Sequence, residues 1–114
     1  AAQILRVRNG QQTYEPIFQI VGSAVTALPI DLGPATDELY LILYGTGLGK
    51  NNPPVSAKIG GTDSVVAYAG AQGTYTGLDQ FNLLLPRSLA GKGKADVIIT
   101  ANGKTSNLVN ITIK

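Results

Sequence analysis

The chain predicts an all-β protein, a sandwich of about eight or nine short antiparallel strands. Three observations carry that expectation. Short apolar runs rich in Val, Ile and Leu are punctuated by glycine turns, among them Asn9-Gly10, Gly60-Gly61 and Asn102-Gly103. Several runs alternate apolar and polar residues with the period of a strand, and no segment holds a helical period over two turns. Asn-Gly and Gly-Gly reverse a chain within two residues because both central positions accept φ > 0.

Ile4-Leu5-Arg6-Val7-Arg8 reads as the first strand, turned by Asn9-Gly10. Gln12 to Val21 returns, with Tyr14, Phe18 and Ile20 on one face. Pro16 has no amide to donate, so this is an edge strand or one broken at a bulge. Gly22-Ser23 leads into a weaker strand, Ala24 to Ile30, and Asp31 to Thr36 is a loop with one helical turn starting at Pro34. Leu39 to Tyr44 is apolar on both faces, the mark of a central strand. Its second face, Tyr40, Ile42 and Tyr44, is either core beneath the first hairpin or a docking patch for a neighbouring domain or chain.

A loop follows from Gly45 to Pro54, then an alternating strand, Val55 to Ile59. Gly60-Gly61 reverses into Ser64 to Ala69, and Gly70 to Gly77 is the longest loop without a hydrophobic period. Phe81, Leu83 and Leu85 alternate in a strand that stops at Pro86, and Leu89 to Gly93 connects. Ala95–Ala101 and Thr105–Lys114 close the chain as a hairpin, with Val109, Ile111 and Ile113 facing inward. Strands at this spacing fit an immunoglobulin-like sandwich, with a closed barrel as the alternative.

Length and composition bound the rest. At 114 residues the chain is a single domain, 1–114, large enough to bury a core without crosslinks. It has no cysteine and no histidine, which removes disulfides, thiol catalysis, the commonest general base and the commonest metal ligand. Nine Lys/Arg against seven Asp/Glu give a net charge of +2, and the basic residues are scattered. Neither a nucleic-acid stripe nor a membrane-binding basic run is indicated. No apolar stretch is long enough to insert in a bilayer. Arg6 and Arg8, with Lys92 and Lys94, read as solvated charges. The start Ala1-Ala2-Gln3, without methionine, reads as a processed or excised piece of a longer protein.

Candidate chemistry is sparse. Gly45-Thr46-Gly47-Leu48-Gly49-Lys50 fails as a phosphate loop: Asn51 stands where Ser or Thr must hold magnesium, and Pro53-Pro54 forbids the following helix. Asp37 and Glu38 are neighbours at a strand start and point to opposite faces. Asp31 and Asp37 invite a Ca²⁺ reading, against turn and cap roles that Asp commonly fills. No cofactor or metal is expected. Tyr68, Tyr75 and Phe81 bracket the 70–77 loop, where tyrosines can stack sugar rings. Tyr75, Gln72, Asp79 and Gln80 are the candidate ligand residues; the plainer reading has Tyr75 pinning its own loop.

From Arg6 to Lys114 the order of several pieces resembles an uncharacterised C-terminal domain family of acidobacteria such as Solibacter. The pieces include Tyr14-Glu15-Pro16, the run Pro29 to Asp37, Leu41 to Gly47, Ile59-Gly60-Gly61, Tyr68 to Gly73, Gly77 to Gln80, Leu85 to Gly91 and Asn102 to Asn107. More loosely, residues 39–114 are similar to the IPT/TIG branch of immunoglobulin-like domains, with residues 1–30 as an N-terminal strand extension. The resemblance implies a secreted or cell-surface location, a place at the end of a larger bacterial protein, and upstream domains as partners. It implies no activity. The function expected is therefore a non-catalytic module for docking, spacing or surface attachment. The alternatives are a carbohydrate-binding module using the Gly70–Gly77 loop, with a glycan or another protein chain as partner, and a hydrolytic enzyme.

Overall fold

The computed structural model describes residues 2–45, 55–71, 79–101 and 104–114. The strands are β1 (Ala2–Arg8), β2 (Gln11–Pro16), β3 (Phe18–Val21), β4 (Ala24–Ala27), β5 (Glu38–Gly45), β6 (Val55–Ile59), β7 (Thr62–Ala71), β8 (Asp79–Leu84), β9 (Gly93–Ala101) and β10 (Lys104–Ile113). One 3-10 turn, Arg87–Leu89, lies between β8 and β9, and the described residues contain no α-helix.

Eight strands hydrogen-bond in the order β10-β9-β6-β7-β8-β5-β1-β2, each pair antiparallel. The sheet folds over at β7. Residues 62–64 pair with β6, whereas Val65 to Ala71 pair with β8. One strand thus serves two leaves: β2-β1-β5-β8-β7 on one side, β7-β6-β9-β10 on the other. β2 and β10 are the two ends of the order and do not pair, so the sheet is not a closed barrel.

The core fills the space between the leaves. The first leaf supplies Ile4, Leu39, Leu41, Leu43, Phe81 and Leu83; the second supplies Ile59, Val97, Ile99 and Ile111. Leu41, Leu83, Ile59 and Val97 are fully buried, each contributing about 1.5–3 kcal/mol of burial. β5 lies inside its leaf, between β1 and β8, as its two apolar faces require. Both hairpin turns that the sequence marks and the structure describes have paired left-handed residues, Asn9 (φ 52°) with Gly10 (φ 78°) and Gly60 (φ 57°) with Gly61 (φ 82°). That backbone matches the twist of the flanking strands. The Asn102-Gly103 turn lies outside the described residues.

Two expectations need correction. The return strand expected over Gln12–Val21 breaks at Ile17, which is 2% exposed and turns into the core. Pro16 offers no N–H to continue the ladder. β2 is therefore the edge of the first leaf, and β3 leaves it to form a separate two-stranded sheet with β4. Tyr14 does not share a face with Phe18 and Ile20. The next strand ends at Ala27 rather than Ile30; Ile30 instead makes an isolated parallel bridge to Ile113. Its N–H donates to Thr112 O, and Lys114 N–H donates to Ile30 O, both at 2.8 Å. The segment after β4 thus runs from the β10 edge of one leaf across to β5 in the other. The expected helical turn at Pro34 is a single hydrogen-bonded turn, Asp37 N–H to Pro34 O at 2.9 Å.

Candidate functional site

The crossing segment 28–37 has few ladder partners for its carbonyls, and buried backbone groups must be satisfied. Three arginines supply donors. Arg6 lies on the inward face of β1, two residues after Ile4, and is only 8% exposed. Its Nε and Nη2 donate to Glu15 Oε2 (2.7 Å) and Oε1 (3.1 Å), and Nη2 also reaches Asp31 O at 2.6 Å. Its Nη1 donates to Asp37 Oδ2 at 2.9 Å and lies 3.5 Å from Leu32 O. Arg8 clasps Asp37 from the other side, Nη2 to Oδ2 at 2.6 Å and Nε to Oδ1 at 3.0 Å. Arg87, from the 3-10 turn, donates to Leu32 O at 2.8 Å, to Asp37 O at 3.3 Å and to Gly33 O. A guanidinium fork is suited to this bridging because its donors are planar and fixed.

Asp37 is buried, and its side chain is 1% exposed. The hydrogen bonds from Arg8 lower its pKa from 3.8 to about 2, with burial opposing and Arg6 adding to the lowering. A carboxylate whose folded pKa is depressed stabilises the fold above its unfolded pKa and loses that contribution as pH falls towards the folded one. Urea midpoints of the native chain are therefore expected to drop as pH falls from about 4 to 2. Asp37→Asn, already weaker at neutral pH, is expected to show a flatter profile over that window. An equal slope in both proteins would remove the role given to Asp37.

This cluster corrects the sequence reading of Arg6 as a solvated charge. It also disposes of the Ca²⁺ reading at Asp31–Asp37. The Asp37 carboxylate is held by two cations, and Asp31 Oδ1 accepts the Gly33 N–H at 2.9 Å, a turn role. Among the described residues no group of three carboxylates gathers as a metal site.

The outer face of the first leaf is of a different kind. Strand registers put Tyr14, Leu5, Tyr40, Leu84 and Val65 in one row across five strands. The next row is Pro16, Gln3, Ile42, Asn82 and Tyr68. Tyr44, Gln80 and Gly70 begin a third. Directly opposed residues share a face, so these side chains stand together. Tyr14 and Tyr68 are 59% and 44% exposed. Tyr40 and Tyr44 are half-buried, and between them Ile42 is buried without joining the inner core.

A bulge brings Tyr68 there. Val66 pairs with Leu83 on the inner face, and the register then shifts so that Tyr68 pairs with Asn82 on the outer face. Strict alternation would have left 66 and 68 on the same side, and re-aiming a side chain is what a bulge does. Gln3 Nε2 donates to Tyr44 Oη at 3.4 Å, Gln80 Nε2 to Asn82 Oδ1 at 2.9 Å, and Tyr40 Oη to Glu38 Oε2 at 2.8 Å. The bond to Glu38, with burial, raises the Tyr40 pKa.

Of the residues singled out from sequence, Tyr40, Ile42 and Tyr44 occupy the centre of this face. The first hairpin does not cover them: β1 lies beside β5 and β2 beside β1. Asp79 and Gln80 do not converge on a ligand, because strand alternation sends Asp79 to the buried inner side and Gln80 to the outer. Tyr75 and Gln72 lie outside the described residues, as do most of the 70–77 loop and the glycine-rich stretch from Thr46 to Lys50. Gly70 and Ala71, expected in that loop, belong to β7.

Two other surfaces stand out among the described residues. β3 and β4 project from the sandwich with Phe18 opposite Ala27 and Ile20 opposite Val25, and Ile20 and Val25 are largely exposed. No charged residue occurs from Pro16 to Ile30. A shallow depression of about 410 Å³ beside the Gly60-Gly61 turn is lined by Lys94, Ala95, Asp96 and Ile98, with Asp96 its single carboxylate. No helix among the described residues is long and apolar enough to cross a membrane. Comparison with protein-family models, with curated proteins and with solved structures finds no match to this chain.

Proposed function

We propose that the chain is a non-catalytic interaction module whose outer tyrosine face is its docking surface. The observation that carries this is one sheet face bearing four of the five tyrosines, Tyr14, Tyr40, Tyr44 and Tyr68, with Tyr14 and Tyr68 exposed at its two sides. Soluble domains seldom leave such a contiguous face without a use. The carboxylates support the same reading. Asp37 is committed to Arg6 and Arg8, Asp79 faces the interior, and Asp96 stands alone in its depression. Two-carboxylate hydrolysis needs a facing pair in one cleft.

The fold reading that goes with it is immunoglobulin-like, of IPT/TIG type. It is supported by strand order: β1-β5-β8-β7 follows the A-B-E-D order of one immunoglobulin sheet, and β10-β9-β6 the G-F-C order of the other. Ile30, parallel to the last strand, then shares the role of first strand with β1. In this reading β2 to β4 are an insertion. Within a larger secreted or surface-bound bacterial protein, the module docks, spaces or attaches. The charge-free β3–β4 hairpin supports a second contact, against an upstream domain of that protein.

Tyrosine nitration tests the docking reading. In the isolated chain, Tyr14 and Tyr68 are expected to react first, and both are expected to be protected when a bacterial envelope fraction or the upstream domain is added. Hydrolase substrates should stay intact throughout. Unchanged nitration, or a turnover that one carboxylate substitution abolishes, would end this reading.

A further inference from the structure

The chemistry of the outer face narrows what it can hold. Its two full rows contain no Asp, Glu, Lys or Arg; Glu38 stands at one end, bonded to Tyr40. A phosphate-bearing or carboxylate-bearing ligand would find no cation among the described residues of these rows. Protein hot spots are enriched in Trp and Arg as well as Tyr, and these rows carry neither Trp nor Arg. What they and the start of the third row do offer is flat phenol rings interleaved with the amides of Gln3, Gln80 and Asn82. Each amide can both donate and accept a hydrogen bond. Such a surface matches a neutral molecule with C–H faces to lie on rings and hydroxyls to bond amides.

We infer that the outer face of the five-stranded leaf binds an uncharged polysaccharide chain, stacked on its tyrosines and hydrogen-bonded by Gln3, Gln80 and Asn82. The inference rests on the docking reading above and names the ligand class of that surface.

Spacing supports an extended ligand. Neighbouring strands lie about 4.8 Å apart, so Tyr14 and Tyr40, two strands apart, stand about 10 Å from one another. Tyr40 and Tyr44 are separated by about 13 Å along β5. Several sugar units are needed to touch all of them, so affinity should grow with chain length. Tyr40 and Tyr44 are already held by Glu38 and Gln3, so little side-chain freedom remains to be lost on binding. The bulge that turns Tyr68 outward completes the face at its far strand. The site thus differs from the 70–77 loop that sequence alone suggested for a glycan.

Affinity electrophoresis of the native chain tests the assignment with hydroxyethylcellulose, galactomannan and polygalacturonate in the gel. Retardation is expected in at least one neutral gel, unchanged by added salt, and none in polygalacturonate. Tyr14→Ala and Tyr68→Ala change exposed positions, so the fold should survive; each is expected to weaken retention roughly tenfold. Val25→Ser, on the β3–β4 hairpin, should leave retention unchanged. Retardation confined to polygalacturonate, or retardation equal in the tyrosine variants, overturns the assignment. No retardation in any gel, with nitration protection of Tyr14 and Tyr68 retained, overturns the polysaccharide but leaves docking. Loss of both removes docking as well.

Discussion

Arg6→Ala is expected to be among the most destabilising single changes in the chain, by about 3–5 kcal/mol. The loss has two sources. The carboxylates of Glu15 and Asp37 lose a shared cation, and the carbonyls of Asp31 and Leu32 lose donors. Breaking one partner of a buried pair leaves the other charge buried, and Asp37 would then be held only by the largely exposed Arg8. A domain of this size has about 5–15 kcal/mol in total, so the variant should sit near the edge of folding. Arg6→Lys should rescue only part of the loss, since one ammonium cannot bridge two carboxylates and two carbonyls in the same geometry. Arg8→Ala, at a largely exposed side chain, should cost much less. Urea denaturation of the three variants checks the order, and equal effects at positions 6 and 8 would contradict it.

Gly33→Ala should cost about 2–4 kcal/mol, a large effect for a single methyl group. Gly33 has φ +71°, where a side chain is strained. An added Cβ would also lie 2.8 Å from both Arg6 Nη1 and Asp37 Oδ2. Side-chain tips often move aside, but these two are bonded to each other at 2.9 Å and buried. Relief of the clash therefore means breaking the ion pair. The consequence is non-additivity: in Arg6→Ala with Gly33→Ala, the contact with Arg6 no longer exists, and the double variant should be less destabilised than the sum by about 1 kcal/mol or more. Strict additivity would show that backbone strain alone accounts for Gly33.

The sequence made the strands legible wherever local signals were strong. Asn9-Gly10 and Gly60-Gly61 mark their turns, and the two-sided apolar run from Leu39 to Tyr44 marks an interior strand. Where pairing partners lie far apart in the chain, the local pattern failed. Arg6 alternates with Leu5 and Val7, and nothing nearby says that the arginine side faces inward; Asp37, its partner, is 31 positions away. The break at Ile17 was half visible, since Pro16 announces an interruption but not that β3 leaves the sheet. Tyr40, Ile42 and Tyr44 could be picked out as a face from alternation within one strand. Tyr14 and Tyr68 could not be added to it, because that takes the registers of β1, β2, β5, β8 and β7 and a bulge after Val66.

The surface assignment meets its sharpest trial in backbone amide NMR of the native chain, titrated with soluble oligosaccharides cut from hydroxyethylcellulose and galactomannan. Shifts are expected to gather at Leu5, Tyr40, Ile42, Asn82 and Tyr68, across the strands of one leaf. Shifts gathered instead on the β3–β4 hairpin or around Asp37, or no shifts with any oligosaccharide, would contradict a polysaccharide platform on the outer tyrosine face.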